Sequence, residues 1–405
     1  MASATSTDGT DGSVAKGDNG LFTEPYRALN RAFHFSDENQ AGWWRATGPI
    51  FAKFLHDGGY DVGRQFEYLA FIREHLYPHL GPALGTRRVF PNPSTGDPDF
   101  ELSMNFQKSK STARICFLPV VRVPVADGED DYLPSATPIL KTLKPALNHF
   151  GYSTTLYDAM KPHLEASDEE RDVLREKGFI KAKLFELQTT MAFDFRHEGP
   201  LVAKVYMFPT LKSQVTGTPE SQLLLGAARA ADPTGQVFPA LSLVEEYFAT
   251  SVGKGFGDTS CTAAPWSISF DMLEPKQSRI KIYAIELQVD MDRLEAHWTM
   301  GGRLNEPGHL KGLEHAKDLF RRLQIPEGRR QMANDYPHFK DPTTLNPLVV
   351  NWELQPGNPI PKPKVYFSLR GLSDTDNAAA ITGFFSSLGW KDHAENYTRN
   401  LRSYL

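Results

Sequence analysis

A basic excess is missing from this chain. Its 44 Lys and Arg face 49 Asp and Glu, a net of −5 over 405 residues. That balance excludes a chain built throughout for polyanions, because nucleic-acid modules normally carry surplus positive charge. A local cationic site can still sit inside such a total. Two cysteines, Cys116 and Cys261, are too few for a disulfide framework or a four-thiolate zinc site, and they suit a reducing, cytoplasmic setting. No run approaches the roughly 18 apolar residues of a membrane span. The N-terminal stretch lacks the apolar segment of a signal peptide, so we expect residues 1–20 to be a disordered tail and residues 21–405 to form one domain.

Catalytic signatures of several classes are absent too. There is no G-x-S-x-G elbow and no C-x-x-C pair. His75 and His79 have an i, i+4 spacing, but Pro78 interrupts the helix and HExxH is missing. Gly253 to Gly257 lacks the order of a phosphate-binding loop and reads as a connection before a strand. The acidic run Asp127 to Asp131 lacks DDxxD spacing and is flanked by Pro and Gly, so it reads as a solvated loop, as do Asp290 and Asp292. No metal site is expected.

What the chain does contain is a repeat. Arg114-Ile-Cys-Phe-Leu-Pro119, Lys204-Val-Tyr-Met-Phe-Pro209, Lys281-Ile-Tyr-Ala-Ile285 and Lys364-Val-Tyr-Phe-Ser-Leu369 begin 90, 77 and 83 residues apart, each with a cation. Side chains of a strand alternate between faces. Lys204 and Tyr206 therefore share one face, as do Arg279, Lys281 and Tyr283, and Lys364 and Tyr366. The other face carries Val205 and Met207, or Ile280, Ile282 and Ala284, or Val365, Phe367 and Leu369. Each segment is preceded by a second strand-like stretch, at Phe100 to Phe106, Leu187 to Phe195, Pro265 to Met272 and Leu345 to Leu354, making a hairpin. Helical stripes separate the hairpins: Leu241, Val244 and Phe248; Leu310, Leu313, Ala316, Phe320 and Leu323; and Ile381, Phe384 and Leu388 after the capping residues Ser373 and Asp376.

The unit reads as two helices then a hairpin, four times over, with a fifth helical pair from about Ser373. Amphipathic helices would cover the aliphatic face, leaving the Lys/Arg/Tyr face pointing away. That face is either solvated, on an open sheet, or lines a lumen. About eight strands with helices on one side tend to curl and close. The expected fold class is α+β: an antiparallel β-barrel of repeated ααββ units with the helices outside.

Closure would bring Arg114, Lys204, Arg279, Lys281 and Lys364 together, where they would repel one another unless a multivalent anion, naturally a diphosphate, sat among them. The interleaved tyrosines would attract an organic cation. Such a wall suits ionisation of an allylic diphosphate, with the cations doing work that Mg²⁺ does elsewhere. On the first strand Glu101, Ser103 and Asn105 share a face. Glu101 is placed either to accept a proton from an indole N–H or a phenol, or to form a structural salt bridge.

These residues resemble the dimethylallyl tryptophan synthase family of aromatic prenyltransferases. The likeness rests on Glu101 in FELSMNF, Arg114, Lys204-x-Tyr206, Ser278 to Tyr283 and Lys364-x-Tyr366, and extends to WWRATGPIFAKFL and YLAFIREHLYPHLGP, so that it covers roughly residues 24 to 405. It implies a ten-stranded ABBA barrel and metal-independent transfer of a dimethylallyl or related group from its diphosphate to an aromatic acceptor, most often an indole. By that resemblance Glu101 would be the base. Arg114, Lys204, Arg279, Lys281 and Lys364 would bind diphosphate, while Tyr206, Tyr283 and Tyr366 would contact it and shield the cation. No cofactor beyond the co-substrate is implied, and the enzyme would be a monomer or homodimer without nucleic-acid or membrane partners.

Three departures from the family pattern stand out. Tryptophan C4-prenylating members carry a lysine where spacing puts Met191, and an arginine for the amino-acid carboxylate at about Trp266. Met191 and Trp266 are therefore acceptor-pocket candidates, and free tryptophan is a less suitable acceptor than a cyclic dipeptide, another indole derivative or a phenol. The third departure is a last hairpin, after the fifth helical pair, which we expect to be missing.

Overall fold

The computed structural model describes residues 21–83, 100–123, 131–179, 188–255, 258–330, 345–369 and 371–404. The expected N-terminal tail, most of the Asp127 to Asp131 run, Leu187 and the end of the Gly253 to Gly257 connection lie outside them.

Eight strands form one antiparallel sheet: β1 (Phe100–Phe106), β2 (Ser111–Phe117), β3 (Thr189–Phe195), β4 (Val202–Met207), β5 (Ala263–Asp271), β6 (Ile280–Glu286), β7 (Leu348–Leu354) and β8 (Lys362–Tyr366). They are hydrogen-bonded in chain order from β1 to β8. The four expected hairpins are all there. Alternation carries across the sheet because paired residues share a face. Val205 lies opposite Met191 and Phe270, whereas Lys204 lies opposite Ala192 and Asp271.

The aliphatic face is the outer one and packs under the helices. Ile115, Phe193, Phe195, Val205, Ile268, Ile282 and Trp352 are buried in one cluster with Phe51, Leu55, Tyr68, Met160, Leu224 and Val244 from the helical layer. Phe51 meets Phe195 at a centroid separation of 4.7 Å, and Tyr247 and Phe248 meet Trp352 at 5.2 and 5.6 Å. Each fully buried ring of this kind contributes on the order of 2–3 kcal/mol in apolar transfer. Tyrosine hydroxyls tie the helical layer to the strands: the amide of Ala113 donates to the Tyr60 hydroxyl at 2.9 Å, and Tyr68 donates to the carbonyl of Arg196 at 2.5 Å.

The helical part of the unit is richer than two helices. Three helices precede β3 (Thr137–Leu147, Thr155–Leu164, Asp168–Glu176) and three precede β5 (Thr210–Thr216, Glu220–Ala231, Leu241–Ser251), whereas Met291–Trp298 and Pro307–Arg322 before β7 form a simple pair. Local signals account for the extra turns. Ser167 and Glu170 make a reciprocal capping box that starts a short helix. Gly217, with φ of 72°, ends Thr210–Thr216 in the left-handed conformation that glycine adopts at little cost.

The helical pair Asp374–Ser387 and Lys391–Arg402 shows how far the sheet curls. Ser373 caps it as the sequence suggests. Its Phe385, His393 and Tyr397 rings lie 5.2, 5.3 and 5.6 Å from Phe106 at the end of β1. Tyr404 donates to Asp57 at 2.7 Å. The same pair packs on helix Pro307–Arg322, where His315 faces Phe384. A segment touching both β1 and the last helical unit requires the two ends of the sheet to approach each other. Among the described residues β1 and β8 have no further partner strand, so the sheet is a curled eight-stranded wall with its charged face inside.

Candidate active site

The concave face gathers the predicted cations, but not as a bare positive ring. Carboxylates alternate with them. Asp194 accepts from Arg114 Nε and lies 2.9 Å from Lys204 Nζ. Asp271 accepts from the same Lys204 at 2.6 Å and from Arg279 Nε at 2.9 Å. Glu353 Oε2 is 3.5 Å from Arg279 and 3.4 Å from Lys281. Reading along the wall, the charges run Arg114, Asp194, Lys204, Asp271, Arg279, Glu353, Lys281. The repulsion anticipated from composition of the face is thus largely offset by the protein itself.

The electrostatics follow from that order. Although burial opposes it, the neighbouring Lys204 and Arg114 hold the Asp194 carboxyl well below the usual carboxylate range. Asp271 is lowered in the same way by Lys204 and Arg279. Lys281 differs. Burial first, and then Lys204, push its ammonium down to about 7, with Glu353 opposing. It sits at the end of the ladder with one acid for a partner, while Lys204 has two.

Beside the ladder the tyrosines form a second patch. Tyr206 and Tyr283 are 6.0 Å apart, and Tyr283 and Tyr366 are 6.4 Å apart. Lys364 Nζ stands 5.1 Å over the Tyr366 ring. Asn351 donates to the Tyr366 hydroxyl at 3.1 Å, and its Oδ1 has no partner among the described residues. Apolar groups continue this patch: Phe208, Trp266, Tyr283 and Ile285 are buried together, with Val349 packed against them. Trp266 reaches that side through a register irregularity between Pro265 and Ser267, and stands 6.4 Å from Tyr283 and 5.8 Å from Phe208.

Glu101 lies opposite Cys116 in the β1–β2 ladder and shares the inner face with Ser103, Arg114 and Asn105. Burial, and then the Glu101 charge, push the Cys116 thiol well up, so it is a neutral wall group rather than a nucleophile. Glu101, Arg114, Lys204, Arg279, Lys281, Lys364, Tyr206, Tyr283, Tyr366 and Trp266 are therefore brought to one concave surface.

Met191 is the exception and corrects the expectation made for it. It pairs with Val205 and is fully buried in the outer core with Phe193 and Phe195. The inner residues of β3 are Thr190, Ala192 and Asp194. A family lysine on this strand would reach the lumen only from their side. Met191→Lys is expected to destabilise the fold by about 3 kcal/mol or more, since it buries an unpaired ammonium. Thermal melting checks this; a melting temperature within a degree of wild type would put Met191 at the lumen after all.

Sequence reasoning missed Asp194, Asp271, Glu353 and Asn351. A signal for the acids exists. Three of the four hairpins carry an acid near the end of their first strand, in TTMAFDF, AAPWSISFD and LVVNWEL, with the parity of the cations on the second.

The profile of the tryptophan dimethylallyltransferase family matches residues 39–400. The chain belongs to that family. Echinulin prenyltransferase 1 of Aspergillus ruber is 33% identical over 381 residues, 93% of this chain and 88% of its own length. AnaPT from Neosartorya fischeri has a crystal structure that matches with a TM-score of 0.78 at 28% identity, covering 93% of this chain and 88% of that one. NotF in complex with brevianamide F and DMSPP matches with a TM-score of 0.77 at 28% identity, over 94% of this chain and 90% of that one. This tryptophan dimethylallyltransferase family member is a prenyltransferase with the ABBA architecture, and dimethylallyl diphosphate is a co-substrate in the family. Among the described residues no helix is long and apolar enough to cross a membrane.

Proposed function

We propose that the concave face transfers a dimethylallyl, or longer prenyl, group from its diphosphate to an indole-type acceptor in secondary metabolism. The observation that carries this reading is the junction of the charge ladder with the tyrosine and tryptophan patch on one wall. Arg114, Lys204, Arg279, Lys281 and Lys364 bind the diphosphate. They stabilise the negative charge that develops on the bridging oxygen as the carbon–oxygen bond breaks and its electron pair leaves with the diphosphate. Tyr206, Tyr283 and Tyr366 present electron-rich faces to the allylic cation and keep water from it. The acceptor then attacks the cation, and Glu101 takes the proton of its N–H or O–H.

Mg²⁺ is not required in this reading. The cations supply the charge, and Asp194, Asp271 and Glu353 are already engaged by them. The acceptor lies toward Trp266, Phe208 and Ile285, an apolar patch that suits an indole whose amino-acid carboxylate is absent or masked. The enzyme works in the cytoplasm as a monomer or homodimer, with small molecules as its partners.

The test is direct. In EDTA, with dimethylallyl diphosphate and a panel of indoles and phenols, we expect products heavier by one five-carbon isoprene unit, with indole-containing acceptors preferred. A panel with no such product would sink the reading. Product formed only after Mg²⁺ is restored would refute its metal-independent part.

A further inference from the structure

The acids of the ladder are out of place in a pocket for a polyanion. Asp271 and Asp194 are 4% and 9% exposed, and each lies against two of the cations assigned to diphosphate. Glu353 bridges Arg279 and Lys281 from the next strand. An acid a few ångström from a bound diphosphate opposes its binding, and this wall holds three.

We propose that Asp194, Asp271 and Glu353 are positioning residues that hold the cations in register while limiting how tightly the site grips diphosphate, so that the product diphosphate can leave. The inference rests on the reading of this wall as the diphosphate site. Its logic comes from the reaction. Diphosphate is the head group of the donor and also a product, so affinity shared by both states does not speed the chemical step and slows release. With Lys281 protonated, Arg114, Lys204, Arg279, Lys281 and Lys364 carry five positive charges, and the three acids reduce the local sum to two. Lys204 is the clearest case: its side chain is 3% exposed, and its ammonium is held by Asp194 at 2.9 Å and Asp271 at 2.6 Å. In the alternative, the acids serve only to orient the cations, and losing one would loosen the site and weaken binding. The two accounts therefore predict opposite signs.

The experiment measures binding of inorganic diphosphate to the full chain by calorimetry, at pH 6 and low salt, for wild type, Asp271→Asn and Glu353→Gln, with melting temperatures recorded in parallel. Rapid-quench turnover with dimethylallyl diphosphate follows. We expect Asp271→Asn and Glu353→Gln to bind diphosphate about tenfold or more tightly, since each removes one negative charge a few ångström away. We also expect a burst of prenylated product followed by a slower steady state, which a merely structural role would not produce. Should Asp271→Asn fail to fold after losing a partner of two buried cations, Glu353→Gln, at a less buried position, carries the test. Unchanged or weaker binding in the folded variants overturns the proposal. Failure of wild type to bind inorganic diphosphate instead overturns the assignment of the site.

Discussion

Glu101→Gln is expected to cut turnover by about 10²- to 10⁴-fold while leaving the affinity for dimethylallyl diphosphate within about twofold of wild type, the range that removal of a positioned general base produces. The geometry supports a split of this kind. Glu101 sits on the inner face of β1, opposite Cys116 on β2, at the β1 edge of the sheet. Replacing it removes a charge from β1 and leaves in place Asp194, Asp271 and Glu353, which hold Lys204, Arg279 and Lys281. Glutamine keeps the shape and can still accept a hydrogen bond from an acceptor N–H, so what it loses is the capacity to take the proton. Steady-state kinetics with saturating acceptor, together with calorimetric titration of diphosphate, separate the two quantities. Turnover equal to wild type would remove Glu101 from the mechanism. A joint loss of turnover and diphosphate affinity would make it part of the charge ladder.

The parity of strand residues explains how much of this wall could be read in advance. Lys204 and Tyr206, or Lys281 and Tyr283, are two apart, and a spacing of two places both side chains on one face whatever the rest of the fold does. The helices had to take the aliphatic side, because Val205, Ile282 and Trp352 can be buried nowhere else. Two kinds of information were hidden. Pairing between strands depends on register, so the contact of Asp271 with both Lys204 and Arg279 could be suspected from the recurring acid but not assigned. Local irregularity is the other kind. Strict alternation puts Trp266 with Ile268 and Phe270 in the outer core, and the register shift between Pro265 and Ser267 brings it to the inner side instead. Met191 shows the converse error. A family position carried over by spacing alone can miss by one residue, and in a strand one residue is the difference between the lumen and the core.

Lys281→Met is expected to lower kcat/KM for dimethylallyl diphosphate by roughly 10²-fold or more, carried mainly by the KM of the diphosphate, and to abolish a proton uptake that accompanies donor binding in wild type. The uptake follows from the position of Lys281. Buried and next to Lys204, its ammonium has been pushed down to about 7 in the free protein. A bound diphosphate adds negative charge to that of Glu353 and raises that value. Below about pH 6 Lys281 is protonated in both states and adds no pH dependence. As pH rises through 7 the free protein loses this proton while the complex keeps it, so affinity falls with increasing pH and binding at pH 8 draws a proton from solution. Titrations at pH 8 in two buffers of different ionisation enthalpy measure the uptake directly. We expect a value approaching one proton for wild type relative to Lys281→Met, whose apolar side chain cannot contribute. Equal proton uptake by the two proteins would show that another group titrates, and a kinetic defect confined to the acceptor would place the aromatic substrate where the diphosphate is assigned.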